Sequence, residues 1–195
     1  MARVYRTDEL VEVSGGWHDA GDYGRYIVPA AKTVADLLLA WQWNADAFGN
    51  GTPDILNECR WELEWMLKMQ RADGAVYHKV SCARFCGMIM PHEEQEELIL
   101  SPISTTATGD FAAVMAMASR FYQLTDPDFA QRMKNAAIRA WNFLAASEPI
   151  LFRNPEGIRT GGYGDGSDED ERLWAAVELA LACQCEPYLS NAAAM

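Results

Sequence analysis

The chain has no long apolar run: nowhere do its 195 residues stay hydrophobic for the roughly 20 positions that a membrane-crossing helix needs. The first twenty residues also lack the apolar core of a secretory leader, because Asp8, Glu9 and Glu12 interrupt every apolar stretch. The expectation is a cytosolic protein, or a sequence whose natural N-terminus lies upstream. Positive charge is scarce, with 16 Lys and Arg against 28 Asp and Glu and a net charge of −12. Such a surface repels a phosphate backbone, so no nucleic acid is expected as a partner. Nothing in it attracts an anionic membrane either. Neutral or cationic ligands and divalent cations remain open. Cysteine is sparse and odd in number: Cys59, Cys82, Cys86, Cys183 and Cys185 do not suit a disulfide-stapled scaffold.

The remaining composition is ordinary globular material. Hydrophobic residues make up 50% of the chain and charged residues 23%, which suits one domain, 1–195, with a sizeable core. Helical periodicity dominates. From Pro29 to Trp43 only Lys32, Thr33 and Asp36 break the apolar pattern, which predicts a helix buried on most sides. Thr52-Pro53-Asp54 reads as an N-cap, a proline in the first helical position and an acid in the first turn. The helix behind it carries Ile55, Leu56, Cys59, Leu63, Met66 and Leu67, and is expected to end near Asp73-Gly74. Residues 74–103 lack that period. Within them 76–80 is the best strand candidate, and 93–97 is a solvated acidic excursion. A third helix starts near Thr105, a fourth at Asp126-Pro127 and a fifth near Ser167. Cys183-x-Cys185 ends the fifth, and a sixth helical pattern begins after it and is cut off. Met66, Met115, Met117, Trp61, Trp65 and Trp141 read as core. Antiparallel helical hairpins joined by elaborate loops suggest an all-α partial toroid of about five helices, its long loops gathered on one binding face.

The chemistry concentrates at 14–26, Ser-Gly-Gly-Trp-His-Asp-Ala-Gly-Asp-Tyr-Gly-Arg-Tyr. Asp19 and Asp22 stand three apart on a glycine-rich turn and can point into one small volume. Glycine lets the backbone bend sharply and approach a ligand. Trp17, Tyr23 and Tyr26 offer flat faces on which a sugar ring can stack. One carboxylate can orient a water while the other takes its proton. Asp and Gly also build plain turns, and these residues alone leave both readings open.

GGWHDAGDYGRY resembles the signature of glycoside hydrolase family 9, the inverting cellulases. DILNECRWELEWMLKMQRADGAVYHKV, SPISTTATGDFAAVMAMASRFY and GGYGDGSDEDERLWAAVELALA resemble further stretches of that family, in the same order. The resemblance covers essentially the whole chain and is closest to the bacterial branch with an immunoglobulin-like module ahead of the catalytic domain. It implies a six-hairpin (α/α)6 barrel with an open cleft across one end. It also implies hydrolysis of β-1,4-glucosidic bonds in cellulose or related β-glucans, extracellular in the parent enzyme. By resemblance, Asp22 is the general base and Asp19 helps hold the nucleophilic water. In an inverting pair, base and acid stand roughly 6.5–9.5 Å apart to admit that water. The family's general acid is a glutamate near the end of its catalytic domain. Nothing in 1–195 matches it, and Glu178 and Glu186 have no such context. The expectation is a truncated catalytic domain, nearly inert on cellulose by itself, that self-associates through the apolar flanks of an unfinished ring.

His78, in Tyr77-His78-Lys79, matches a histidine that the family presents to the cleft. With Trp17 and Tyr23 it forms the expected substrate-binding set. The acidic run 166–171 has two readings. Ser167 can cap a helix whose first-turn carboxylates complement the dipole. By resemblance, Asp170 and Glu171 instead hold a structural calcium (Ca2+), with backbone oxygen from Ser167 or Gly166. Zinc (Zn2+) is not expected: His78, Cys82, Cys86 and His92 fit no common zinc spacing, and the branch's zinc ligands correspond here only to His18. Two rivals stay open. One is a non-catalytic partial toroid that holds glucan on Trp17, Tyr23 and His78. The other is an exo-acting chito-oligosaccharide hydrolase of the same family.

Overall fold

The computed structural model describes residues 1–48 and 54–194. At its centre is α3 (Thr105–Phe121), buried at every position from 105 to 119. A helix apolar on nearly all sides has to be surrounded, and α3 packs against α1 (Ile27–Trp43), α4 (Pro127–Ala145) and α5 (Glu169–Cys183). Small residues keep these neighbours close. At Gly109 a Cβ would stand 2.7 Å from the Cβ of Glu171 on α5. α2 (Asp54–Lys68) backs α1, and α6 (Glu186–Ala194) backs α5. So α1, α3 and α5 form an inner row, with α2, α4 and α6 outside it. This is a partial α/α toroid, as the helical pattern predicts, and it suits the (α/α)6 barrel that the resemblance implies. One core cluster runs through it, including Leu38, Leu63, Met66, Phe111, Met115 and Leu179.

Local signals set most helix ends. The Ser104 hydroxyl accepts the Ala107 N–H at 3.1 Å to cap α3. The Asp126 carboxylate accepts the Phe129 N–H at 3.0 Å, with Pro127 behind it. The cap expected at Thr52-Pro53 lies outside the described residues. α2 ends at Lys68, earlier than the Asp73-Gly74 punctuation suggests. Gln70 instead bridges to Val76 around a tight turn, with Gly74 at φ +97°. α5 ends as expected, where Gln184 turns left-handed at φ 50°. Trp61, expected in the core, is 56% exposed and covers the glycine loop instead.

The helical period does not reveal one layer. At the loop end, five strands of two or three residues form a sheet in the order β2-β1-β5-β4-β3. They are β1 (Ala2–Val4), β2 (Leu10–Val11), β3 (Arg25–Tyr26), β4 (Lys79–Ser81) and β5 (Ile99–Leu100). β1 runs parallel to β5, and the other pairs are antiparallel. The register of β3 on β4 sets Tyr26 opposite Lys79 and Arg25 opposite Val80. This pairing pins the end of the 14–26 segment over the loops that flank α3.

Candidate active site

The Gly-Gly lead-in is sterically required. Gly15 and Gly16 take φ +91° and +81°, where L side chains are strained, and a Cβ on Gly16 would lie 2.6 Å from the Trp65 ring. The buried Arg25 guanidinium closes this loop by donating to the Val13 and Gly15 carbonyls at 2.6 and 2.5 Å. Two acids of α2 hold Trp17: Glu62 accepts its backbone N–H, and Glu58 accepts its indole N–H at 2.6 Å. Glu62 is fully buried, and that burial pushes its carboxyl up to about 7.

Asp22 sits at the base of the turn and is only 8% exposed. Its Oδ2 accepts the Gly24 N–H at 3.0 Å and the Tyr26 hydroxyl at 2.8 Å. Its Oδ1 has no protein donor among the described residues. Gly24 makes the arrangement possible, because a Cβ there would stand 2.5 Å from the Tyr26 hydroxyl and 2.6 Å from Asp22 Oδ2. The Asp19 backbone N–H donates to Gly24 O at 3.1 Å, so one tight turn carries both acids. The exposed Asp19 carboxylate accepts from the Tyr163 hydroxyl at 2.5 Å. That bond pushes the Tyr163 hydroxyl up to about 12, so it stays a donor. Tyr163 sits at φ 45°, uncommon for a non-glycine residue, and meets Tyr26 edge-on at 5.0 Å. Each acid is thus held by a tyrosine, and the two tyrosines touch. A cavity of about 140 Å³ opens beside Asp19, walled by Trp17, His18, Tyr26, Pro29 and Thr33. A larger concavity, about 690 Å³ between β1, β2 and the end of α2, contains no member of this constellation. Asp22 lines neither of these; it faces a narrow cleft with Tyr23, Gly24, Ser81 and Arg84.

Trp17 and Tyr23 stand half-buried at the rim; the Tyr23 hydroxyl donates to Ile89 O, and its ring lies 4.9 Å from His18. Tyr26, first read as a sugar platform, is 2% exposed and holds Asp22 instead. His78 also departs from expectation, since it is completely buried. Its ring stacks on Phe152 at 3.7 Å. Nε2 faces the Gly162 carbonyl at 2.7 Å and must donate to it, so Nδ1 accepts the Ser104 hydroxyl at 2.8 Å. Burial lowers it to about 4 and keeps it neutral. With both nitrogens engaged, His78 ties the loop before α5 to the cap of α3 and contacts no open space. Sequence reasoning missed Tyr163, Glu62 and Lys79. The signals were an aromatic in the glycine-rich loop 161–166 and a lone cation in an apolar strand.

The acidic run opens α5. Ser167 stands one residue before the N-cap position, Asp168, and its hydroxyl accepts the Glu169 N–H at 3.2 Å. Asp168 pairs with Arg172 at 3.0 Å. Asp170 is exposed, and Glu171 is buried with its Oε2 lacking any hydrogen-bond partner among the described residues. Asp110 of α3 is buried beside them. Burial, then the charges of Glu171, Asp170 and Asp165, push its carboxyl up to about 8. Among the described residues no three His, Cys, Asp or Glu side chains converge in ligand geometry. An all-oxygen, anionic set with an orphaned carboxylate oxygen nonetheless fits a hard divalent cation, if backbone carbonyls complete the shell.

Compared with known proteins, the chain matches the family described as Glycosyl hydrolase family 9 over residues 2–195. Endoglucanase D of Acetivibrio thermocellus is 42% identical over 188 residues, covering 90% of this chain and 30% of its own length. A cellodextrinase of Butyrivibrio fibrisolvens is 39% identical over 206 residues, covering 98% of this chain and 38% of its own length. A mutant thermostable endoglucanase from Alicyclobacillus acidocaldarius superposes with a TM-score of 0.95 at 41% identity, over 98% of this chain and 39% of that one. The chain therefore spans about a third of the length of these relatives.

Proposed function

The chain belongs to glycosyl hydrolase family 9, and on that premise we propose that it carries the water-activating side of an inverting β-1,4-glucan hydrolase. The observation behind this is the Asp19–Asp22 turn, in which each acid has one oxygen fixed by a tyrosine and Asp19 lines the cavity next to Trp17. A sugar ring lying against Trp17 would present its anomeric carbon to the turn. Asp19 orients a water, and Asp22 Oδ1 takes the water's proton as its oxygen attacks from the face opposite the leaving group. Tyr26 and the Gly24 N–H keep Oδ2 occupied, so the proton goes to Oδ1. The leaving oxygen needs a proton from an acid across the bond. Within this chain Glu178 does not suit that role, since it is tied to Arg120. General acid catalysis typically contributes about 10²- to 10⁴-fold, so the 195 residues alone should bind cello-oligosaccharides and cleave them very slowly. Calorimetric titration with cellotetraose should show binding that Trp17→Ala abolishes. Carboxymethyl-cellulose hydrolysis at ordinary cellulase rates by the isolated chain would overturn the one-sided reading, and absence of any glucan binding would overturn the whole.

Two further assignments belong to the proposal. Asp170 and Glu171, with the Ser167 carbonyl, would hold calcium at the α3–α5 contact. The cation's contribution there is structural, neutralising acids that otherwise repel one another. Added calcium should raise Tm, and Asp170→Ala should remove the effect; no shift in the unaltered chain counts against the site. Leu173, Val177 and Leu181 form a stripe on α5, each at least 39% exposed. A second copy of the chain is the proposed cover, and a strictly monomeric species by light scattering contradicts that. The parent enzyme would act outside the cell, where polymeric glucan is found.

A further inference from the structure

Beneath the acid pair lies a cation that the steps above do not use. Lys79 is fully buried, and a buried ammonium needs good acceptors to replace its lost hydration. Nζ donates to Asn154 Oδ1 at 2.6 Å, Thr160 Oγ1 at 3.0 Å and the Gly161 carbonyl. All three acceptors are neutral. The carboxylate whose charge acts on Lys79 is Asp22. The link between them is Tyr26. It is the cross-strand partner of Lys79, so the two side chains share a face. Nζ stands 5.5 Å from the centre of the Tyr26 ring. Gly161 packs on that ring so closely that a Cβ would lie 3.2 Å from it. The Tyr26 hydroxyl then donates to Asp22.

We propose that Lys79 is a positioning residue for Asp22: its buried charge against the Tyr26 ring polarises the Tyr26 hydroxyl toward the Asp22 carboxylate and so strengthens the bond that fixes it. This rests on Asp22 acting as the base. Other titratable and charged groups also face Asp22: His18, Asp19, Tyr163 from the loop before α5, and Arg84, Cys86 and Glu94 from the segment after β4. Among the described cations around Asp22, Lys79 is the fully buried one, whereas Arg84 is exposed to solvent. A hydrogen bond to the charged form of a carboxylate favours that form, so weakening the Tyr26 donor moves the titration upward.

The test follows the Asp22 carboxyl carbon by NMR titration in the labelled 195-residue chain. Its midpoint should rise by about one pH unit or more in Lys79→Met. Lys79→Gln keeps a donor for Asn154 and Thr160 should the methionine loosen the fold, and it should shift the midpoint alike. Lys79→Arg, which keeps the charge, should leave it in place. Burial brings Lys79 itself down to about 8. The unaltered chain should therefore show a second step in the Asp22 signal near that pH, lost in Lys79→Gln. An unmoved midpoint in folded Lys79→Gln, or an equal shift in Lys79→Arg, overturns the proposal; so does a step that survives Lys79→Gln. A purely structural lysine would lower Tm without moving the midpoint, which also overturns it. The titration needs no substrate, so a chain that binds no glucan would sink the proposed function and leave this test standing.

Discussion

Gly24→Ala is a sharp steric probe of the acid pair. Gly24 does not need a left-handed φ, so alanine adds no backbone strain. The added Cβ would meet the Tyr26 hydroxyl at 2.5 Å and Asp22 Oδ2 at 2.6 Å, whereas ordinary contact begins at 3.4 Å. The Cβ would also lie 2.8 Å from a ring carbon of the buried Tyr26, so the Asp22 carboxylate has to yield by about 1 Å, and yielding breaks its bond to the Tyr26 hydroxyl. A hydrogen bond to a charged group contributes about 1.5–3 kcal/mol. A loss near 2 kcal/mol lowers Tm by about 4–8 °C in a domain of this size. If the same bond sets Asp22 in place, turnover of a reactive glycoside should fall by about tenfold or more. Gly21→Ala is the control, because its Cβ would meet nothing within 4 Å in the same turn. The assays are thermal melts and release of dinitrophenolate from dinitrophenyl β-cellobioside. A Gly24→Ala chain as stable and as active as Gly21→Ala would refute the reasoning.

Gly74→Ala should be the costlier glycine replacement, since φ is +97° and the Cβ would lie 2.2 Å from the rigid Arg139 carbonyl. Strain and overpacking together predict a loss of about 3–5 kcal/mol by denaturant unfolding, with the Asp19–Asp22 turn intact; a variant of unaltered stability contradicts this. Glu62 gives a pH signature. Its carboxyl titrates near 4.5 when unfolded and is raised by burial to about 7 in the fold. The folded state therefore favours the protonated form, and the stability it contributes is lost as pH rises from 4.5 through 7. Glu62→Gln keeps an acceptor for the Trp17 N–H, so its Tm should match the parent below pH 5 and exceed it at pH 8. The gain should be up to about 3 kcal/mol, and parallel Tm curves for the two chains would count against the assignment.

Helix beginnings were legible because a cap and a proline act locally: Asp126-Pro127 starts α4 whatever surrounds it. The sheet was not legible. Its strands of two or three residues are too short for alternation to show, and their pairing joins residues as distant as Val4 and Leu100. The same limit governs the site. Asp19 and Asp22 stood out because glycines and aromatics crowd them in sequence. The tyrosine that holds Asp19 lies 144 residues away. Tyr26 looked like a sugar platform until the β3–β4 register turned it inward toward Lys79. His78 lies in a recognisable motif, but stacking on Phe152 and the demands of two ring nitrogens placed it under the floor. Trp61 lies in the periodic part of α2 yet faces outward over Gly15.

On the proposed function, this chain holds the base side of an inverting hydrolysis. A dinitrophenolate leaving group departs without protonation, so dinitrophenyl β-cellobioside tests the base side without needing an acid. The decisive measurement is the anomeric proton spectrum of the first product released from it by the 195-residue chain. The expected product is α-cellobiose, formed far faster than from cellotetraose, and lost in Asp22→Ala. A first product of β configuration, or undiminished release by Asp22→Ala, would contradict it.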